Sequence, residues 1–129
     1  MLFAALLVPP PAATGEDPPI DRSGKKQHGT ASFYHPRFAH KKTASGEPLD
    51  PEKKTAASKT LPLGTRAEVT NTENGKSTEV IVNDRGPYAK DRIIDVTPKA
   101  AEDLGMKEQG TAKVEVKPVE IPPPPASQH

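Results

Sequence analysis

Two carboxylic acids, Glu47 and Asp84, stand out because each lies in a polar segment that interrupts patterned apolar sequence. Glu47 follows Gly46, and Asp84 follows the β-branched run 80–82 and precedes a Gly-Pro pair. Two carboxyls that face one groove can cleave a glycosidic bond, because one protonates the leaving oxygen and the other stabilises an oxocarbenium-like transition state. Spacing alone also fits an Asp84 that accepts backbone amides in a turn, and a solvated Glu47.

Arg85, Tyr34 and Tyr88 are the candidate substrate-binding side chains near these acids. The forked guanidinium of Arg85 can hold a sugar hydroxyl or a carboxylate. Pairing of Arg85 or Arg92 with Asp95 inside the fold is an equally good interpretation, in which Asp95 is structural. A tyrosine ring can lie against a sugar face or pack partly buried beside a strand end.

Strands must position these side chains, because apolar and polar residues alternate with a period of two in 66–70 and 113–117. The continuous apolar run 80–82 predicts a strand that is covered on both faces. Asn74-Gly75 predicts the hairpin turn that joins this strand to 65–71. Segments 29–34 and 92–96 are further strand candidates.

One short helix is well signalled, with Thr97 as N-cap, Pro98 at the first helical position and Gly105 after the end. Asp50-Pro51 predicts another single turn. About six short strands with one or two small helices in about 90 residues predict a closed β-barrel, because closure removes the exposed edges of a small sheet.

The ends of the chain differ from its middle. Residues 2–8 form an apolar run that is followed by three prolines and Ala12-Ala13, which predicts a secretory signal peptide at 1–13 and an exported protein. Because this run has no basic residues before it, an ordinary unstructured N-terminus is the alternative. Residues 14–28 are predicted to be a disordered linker, 29–120 the folded domain and 121–129 a proline-rich tail.

Composition excludes several functions. The 18 Lys and Arg residues balance 17 Asp and Glu residues without a long run of either sign, so we expect no nucleic-acid partner. The absence of cysteine excludes disulfides, thiol catalysis and a lipid anchor at a lipobox cysteine, and the N-terminal apolar run is too short to span a membrane. The histidines lack the spacing of a zinc site, and we expect neither metal nor organic cofactor, and a monomer.

Six motifs follow one another in the order and spacing of a known family. They are Gly-x-Ala-Ser-x-Tyr at 29–34, Thr-Ala-x-Gly-Glu at 43–47, Thr-Ala-Ala-x-x-x-Leu-Pro-x-Gly-Thr at 55–65, Asn-Asp-Arg-Gly-Pro at 83–87, Arg-Ile-Ile-Asp at 92–95 and Ala-Ala-x-x-Leu-Gly at 100–105. Over about 90 residues, the chain resembles the rare lipoprotein A family of double-psi β-barrels.

This resemblance implies a six-stranded double-psi β-barrel and an endolytic peptidoglycan lytic transglycosylase of the periplasm or cell envelope. Its substrate would be peptide-free glycan strands, cleaved between N-acetylmuramic acid and N-acetylglucosamine with a 1,6-anhydro product. The nucleophile is then the C6 hydroxyl of the substrate itself, so one carboxyl can act first as acid and then as base. Asp84 is expected in that role, and Glu47 as second carboxylate or in positioning the glycan.

Ser58 departs from the family's pattern, which usually has histidine at this position. A serine hydroxyl can contact substrate or keep a hydrogen bond, but it cannot supply the charge of an imidazolium. His28, His35 and His40 are alternative sources of an imidazole. The substitution favours a second hypothesis, a non-catalytic glycan-binding barrel similar to expansins.

Overall fold

The computed structural model describes residues 19–124. The predicted signal peptide lies outside this range, as do residues 14–18 of the predicted linker and 125–129 of the tail. The elements in chain order are β1 (Gln27–Phe33), a 3₁₀ turn (Pro36–Phe38), β2 (Thr55–Ser58), β3 (Arg66–Asn71), β4 (Ser77–Asp84), β5 (Arg92–Val96), α1 (Pro98–Asp103) and β6 (Thr111–Glu120).

The six strands close into one barrel in the order β1-β5-β2-β4-β3-β6. Strands β1 and β5 are parallel, and so are β2 and β4, while the other neighbours are antiparallel. Each parallel pair joins strands that are distant in sequence, so the chain crosses the barrel between them. The prediction of a mainly β, six-stranded closed barrel is confirmed.

Alternating sequence becomes alternating burial in β3 and β6. Ala67 and Val69 are buried whereas Glu68 is exposed, and β6 repeats this pattern. Strand β4 differs from its prediction, because Ile81 between the buried Val80 and Val82 is 39% exposed. The expectation that this run is covered on both faces is wrong, since the described residues leave the outer face of the barrel open to solvent at Ile81.

Helix α1 covers one end of the barrel. It begins after Thr97, as predicted, but the Thr97 hydroxyl donates to the carbonyl of Lys53 and caps no helix amide. The helix contributes apolar side chains to the core, and Gly105 follows its end with a φ of 65°. The predicted turn at Asp50 forms, since the Lys53 amide donates to the Asp50 carbonyl at 3.1 Å.

The core consists mainly of small and β-branched residues. It draws on all six strands, on α1 and on the loops: Ala31, Ala56, Leu61, Ala67, Val69, Val80, Val82, Ile94, Val96, Ala100, Ala101, Leu104, Met106, Ala112, Val114 and Val116. Such side chains lose little conformational freedom on burial, which suits a barrel with a narrow interior.

The described part of the predicted linker lies against the barrel. Strand β1 begins at Gln27, two residues before the predicted start of the domain, because β6 is long enough to pair with it there. The Asp21 amide donates to the Thr60 carbonyl at 2.8 Å, and the Arg22 guanidinium donates to the Pro122 carbonyl at 2.9 Å. Among residues 19–124, no helix has the length and apolar character needed to cross a bilayer.

Candidate active site

A row of four residues crosses neighbouring strands at one end of the barrel. Ser32 of β1 pairs with Asp95 of β5, Asp95 pairs with Ala57 of β2, and Ala57 pairs with Asp84 of β4. Because strands lie about 4.8 Å apart, the Cα atoms of Asp84 and Asp95 are separated by roughly 10 Å. The small side chain of Ala57 leaves space between the two carboxyls.

This row forms the floor of an open groove of about 470 Å³. The groove is bounded by the segment after β1 and by the loop between β4 and β5. Its lining residues are Ser32, Phe33, Tyr34, His35, Phe38, Ala57, Asp84, Arg85, Gly86, Pro87, Tyr88, Ala89, Arg92 and Asp95. The mixture of carboxyls, guanidiniums and aromatic rings is typical of a carbohydrate site.

Three donors hold the carboxyl of Asp84. The Tyr34 hydroxyl donates to Oδ2 at 2.8 Å, and the amides of Ala44 and Arg85 donate to Oδ1, both at 2.9 Å. Asp84 therefore accepts turn amides, as one interpretation of the sequence held, and it also lines the groove. Its orientation is fixed before any ligand arrives.

Asp95 is the second carboxyl of the groove. The Ser32 hydroxyl donates to its Oδ1. Partial burial raises the pKa of Asp95 above its ordinary value, and the charge of Asp84 raises it further, against the lowering effects of Ser32 and Arg92. Asp95 is thus the carboxyl better suited to carry a proton.

The two arginines of the groove do not pair with Asp95. Within residues 19–124, neither Arg85 nor Arg92 makes an ion pair with any acid. The Arg85 guanidinium instead donates to the carbonyls of Ser58 at 3.0 Å and Leu61 at 2.7 Å. It holds the turn after β2 against the groove.

Ser58 lies beneath the groove and is only 1% exposed. Its hydroxyl accepts the amides of Leu61 at 3.0 Å and Thr60 at 3.3 Å. The predicted contact with substrate finds no support in this geometry, because the hydroxyl is used by the turn and Ser58 does not line the groove.

Glu47 occupies the tip of an exposed loop and does not line the groove. Its backbone is fixed, since its carbonyl accepts the amide of Thr43 at 2.8 Å and its amide donates to the Ser45 hydroxyl at 3.3 Å. The loop reaches the groove through the amide of Ala44, which binds Asp84. Glu47 is therefore near the site but belongs to its margin.

The two tyrosines line the groove in different ways. Tyr34 is partly buried, meets the ring of Phe38 edge-on at 6.3 Å, and has its pKa raised by burial and by Asp84, so its hydroxyl stays protonated and donates. Tyr88 is 71% exposed, which leaves its ring available to a sugar face. His35 also lines the groove, whereas His28 lies 3.3 Å from Glu115 on β6.

The motif Gly-x-Ala-Ser-x-Tyr explains how β1 serves the site. Gly29 is required because a Cβ there would lie 2.7 Å from Ile93. Ala31 is buried in the core, Ser32 binds Asp95, and Tyr34 binds Asp84. Ser32 was not predicted as a site residue from the sequence, and Asp95 was given a structural role. The available signal was that Ser32 belongs to the motif at 29–34 and Asp95 to the motif at 92–95. Among residues 19–124, no group of three His, Asp or Glu side chains could hold a metal ion.

Relatives of known name match the barrel rather than the whole of their own chains. The endolytic peptidoglycan transglycosylase RlpA of Neisseria meningitidis serogroup A is 53% identical over 90 residues, which cover 70% of this chain and 38% of the relative. The protein of the same name from Pseudomonas aeruginosa is 50% identical over 99 residues, covering 77% of this chain and 29% of the relative. The chain thus spans about a third of the length of these curated relatives.

Solved structures resemble the barrel as well. The Streptomyces papain inhibitor has a TM-score of 0.61 at 25% identity, covering 75% of this chain and 96% of the inhibitor. An expansin of Clavibacter michiganensis has a TM-score of 0.58 at 20% identity, covering 78% of this chain and 54% of the expansin. These likenesses show that the fold is a double-psi β-barrel.

A family profile described as lytic transglycolase matches residues 26–116, which include β1 to β5, the first part of β6 and the whole groove row. Together with the 50–53% identity to the RlpA transglycosylases, this match establishes that the chain belongs to the lytic transglycolase family.

Proposed function

We propose that the protein is an endolytic peptidoglycan lytic transglycosylase that cleaves peptide-free glycan strands between N-acetylmuramic acid and N-acetylglucosamine. The observation that carries the proposal is the pair of carboxyls, Asp84 and Asp95, on one row of the groove floor. The names of the relatives support the reaction class. Because the relatives are named as peptidoglycan transglycosylases, we expect this protein to be exported to the periplasm or cell envelope and to act as a monomer.

The reaction needs one proton donor, one proton acceptor and no water. The C6 hydroxyl of N-acetylmuramic acid attacks its own C1, while the bond from C1 to the O4 of the next sugar breaks. The hydroxyl proton passes to a base, and an acid supplies a proton to the departing O4. The products are a 1,6-anhydro end and a new O4 hydroxyl, so the total of atoms and charge is unchanged.

The contacts of the two carboxyls favour a division of these roles. Asp84 is surrounded by donors from Tyr34, Ala44 and Arg85, which suits a carboxylate that accepts a proton from the C6 hydroxyl. Burial raises the pKa of Asp95, which suits a carboxylic acid that protonates O4. This assignment revises the expectation that Asp84 performs both steps with Glu47 as its partner.

The test is cleavage of purified peptide-free glycan strands, followed by mass spectrometry. Anhydro ends are one water lighter than the reducing ends left by hydrolysis, so the two chemistries are distinguished directly. We expect anhydro ends with the parent protein and none above background with Asp84→Asn. The control is Asp91→Asn, because Asp91 is exposed and its side chain makes no hydrogen bond or ion pair within residues 19–124. Hydrolysed ends would contradict the proposal.

A non-catalytic glycan-binding barrel is the second candidate. The observation that favours it is Ser58, which stands where the family usually has histidine and whose hydroxyl is used inside a turn. His35 at the groove is the described histidine best placed to supply an imidazole. If the parent protein binds strands as tightly as Asp84→Asn does and neither yields anhydro ends, the binding function replaces the enzymatic one.

A further inference from the structure

Two arginines, Arg85 and Arg92, line the groove, and Arg85 and the nearby Lys59 are engaged by backbone carbonyls. Arg85 donates to the carbonyls of Ser58 and Leu61, and the Lys59 ammonium donates to the Ala89 carbonyl at 3.1 Å. Arg92 lines the groove at the start of β5, and we find no hydrogen bond from its guanidinium and no ion pair to it within residues 19–124. Its donors are available to a ligand.

The chemistry of the groove favours a carboxylate as that ligand. Arg92 lowers the pKa of Asp95, although burial keeps that pKa raised overall, and within residues 19–124 the two side chains form no ion pair. Arg92 is also partly buried, which strengthens a charged hydrogen bond relative to one in open solvent. A planar guanidinium can bind both oxygens of a carboxylate at once, which a sugar hydroxyl cannot match.

The proposed substrate carries such a group in one form only. Each N-acetylmuramic acid bears a lactyl ether that ends in a free carboxylate when the stem peptide has been removed. In strands that keep their peptides, the same carboxyl is a neutral amide. Peptide removal therefore exposes an anion close to the bond that is cleaved.

We propose that Arg92 binds the lactyl carboxylate of N-acetylmuramic acid, and that this contact makes the groove select peptide-free strands. The inference rests on the proposed function for its choice of substrate. It adds a subsite, distinct from the two aspartates, whose ligand is a carboxylate. Arg92 acts on specificity and binding, while Asp84 and Asp95 act on the reacting bond.

The test compares peptide-free strands with the same strands after their lactyl carboxylates have been converted to methylamides. This conversion removes the charge and adds little bulk. We expect the kcat/KM of the parent protein to fall about 10- to 100-fold on the methylamide strands, since a charged hydrogen-bonded pair is lost. Arg92→Gln should cleave both substrates equally, at about the rate of the parent protein on methylamides. Arg92→Lys should keep part of the preference.

Lys90→Gln is the matched control. Lys90 is an exposed cation two residues away whose side chain makes no hydrogen bond or ion pair within residues 19–124, so this variant should keep the full preference of the parent protein. Equal rates of the parent protein on the two substrates would overturn the subsite. So would a preference that persists unchanged in Arg92→Gln.

Binding distinguishes this inference from the proposed function. Asp84→Asn should bind strands without cleaving them. Calorimetry with this variant is expected to give a Kd about 10- to 100-fold lower for carboxylate strands than for methylamide strands, because a charged hydrogen-bonded pair contributes about that much. If no strand is cleaved by the parent protein but this preference is present, the enzymatic function fails and the Arg92 subsite stands. If strands are cleaved but bound and cleaved without preference, the subsite fails and the enzyme stands.

Discussion

The carboxyls of Asp84 and Asp95 differ from the carboxyl of Glu47 in how the fold holds them. The aspartates lie on β4 and β5, the two strands that flank β2 and are held in register by it, and both are partly buried with hydrogen-bonded oxygens. Glu47 lies at an exposed loop tip, and only its backbone is hydrogen-bonded. The barrel therefore positions the aspartates before substrate arrives, whereas the Glu47 side chain must be ordered by the substrate at an entropic cost.

The loop of Glu47 is nevertheless attached to the end of β4 that carries Asp84. The Ala44 amide binds Asp84, and the Ser45 amide donates to the Asn83 carbonyl at 3.0 Å. Movement of this loop would remove one of the three donors from Asp84. The loop can thus affect Asp84 through its backbone, whether or not the Glu47 side chain is part of the reacting pair.

Among the variants that distinguish the strand-borne aspartates from the loop-borne Glu47, Asp95→Asn should lower kcat most. The amide keeps the shape and can still accept the Ser32 hydroxyl, but it has no proton to give to the leaving oxygen. We expect kcat to fall about 10²- to 10⁴-fold with KM little changed. Steady-state kinetics on peptide-free strands gives both constants. A kcat within about threefold of the parent value would show that Asp95 does not take part in the reaction, because altered binding alone can produce a change of that size.

The strands that carry this site could be predicted from the sequence more fully than the contacts between its side chains. Alternation in 66–70 and 113–117 corresponds to β3 and β6, and the motifs around Asp84 and Tyr34 supplied residues that do line the groove. These signals are local, because a strand's burial pattern and a turn's residue types are written within a few positions. The barrel's closure followed from the number and shortness of the strands.

Asp95 was assigned a structural role because the residues that it meets in the groove are distant from it in sequence. Ser32 lies 63 residues away on a parallel strand, and the row through Ala57 to Asp84 depends on the register of three strand pairs. Register between parallel strands is a property of the assembled barrel, and no local pattern encodes it. Pairing with a nearby arginine was the interpretation that sequence distance favoured.

Ser58→Ala tests the turn that lies beneath the groove floor. The hydroxyl accepts two backbone amides, and the Leu61 amide is buried, so its loss should lower the free energy of unfolding by about 1–3 kcal/mol. We expect kcat/KM to change less than about twofold if the hydroxyl has no substrate contact. Chemical denaturation measures the first effect, and Ser77→Ala, at an exposed strand end, is the control. A stable Ser58→Ala variant with weakened substrate binding would return Ser58 to the binding site.

Glu47→Gln should have a smaller effect, and on a different constant. Loss of a charged hydrogen bond at an exposed margin should lower kcat/KM about 3- to 10-fold, mainly by raising KM, with no change in the free energy of unfolding. Glu52→Gln is the control, since Glu52 is another exposed glutamate in the following turn. A fall in kcat as large as that of Asp95→Asn would show that Glu47 belongs to the reacting pair, and the contrast between strand and loop would no longer hold.

The pH dependence of the free energy of unfolding should report the raised pKa of Asp95 in the groove floor. Burial raises the pKa of Asp95 in the folded chain above its ordinary value of 3.8, so the folded state binds more protons than the unfolded state as pH rises from there. The free energy of unfolding must then decrease across that interval, until Asp95 is ionised in both states. Asp95→Asn cannot ionise at this position, so its stability relative to the parent protein should increase as pH rises above 3.8.

Asp103 provides a control of opposite sign for this measurement. A hydrogen bond from Lys54 lowers the pKa of Asp103, so its contribution to stability is present above the ordinary value of 3.8 and is lost as pH falls through the lowered pKa. Asp103→Asn should therefore become less stable relative to the parent protein as pH rises towards 3.8, and should change little at higher pH. If urea denaturation shows no relative gain in stability for Asp95→Asn above that pH, the folded chain does not raise the pKa of Asp95, and the division of acid and base between Asp95 and Asp84 loses its physical basis.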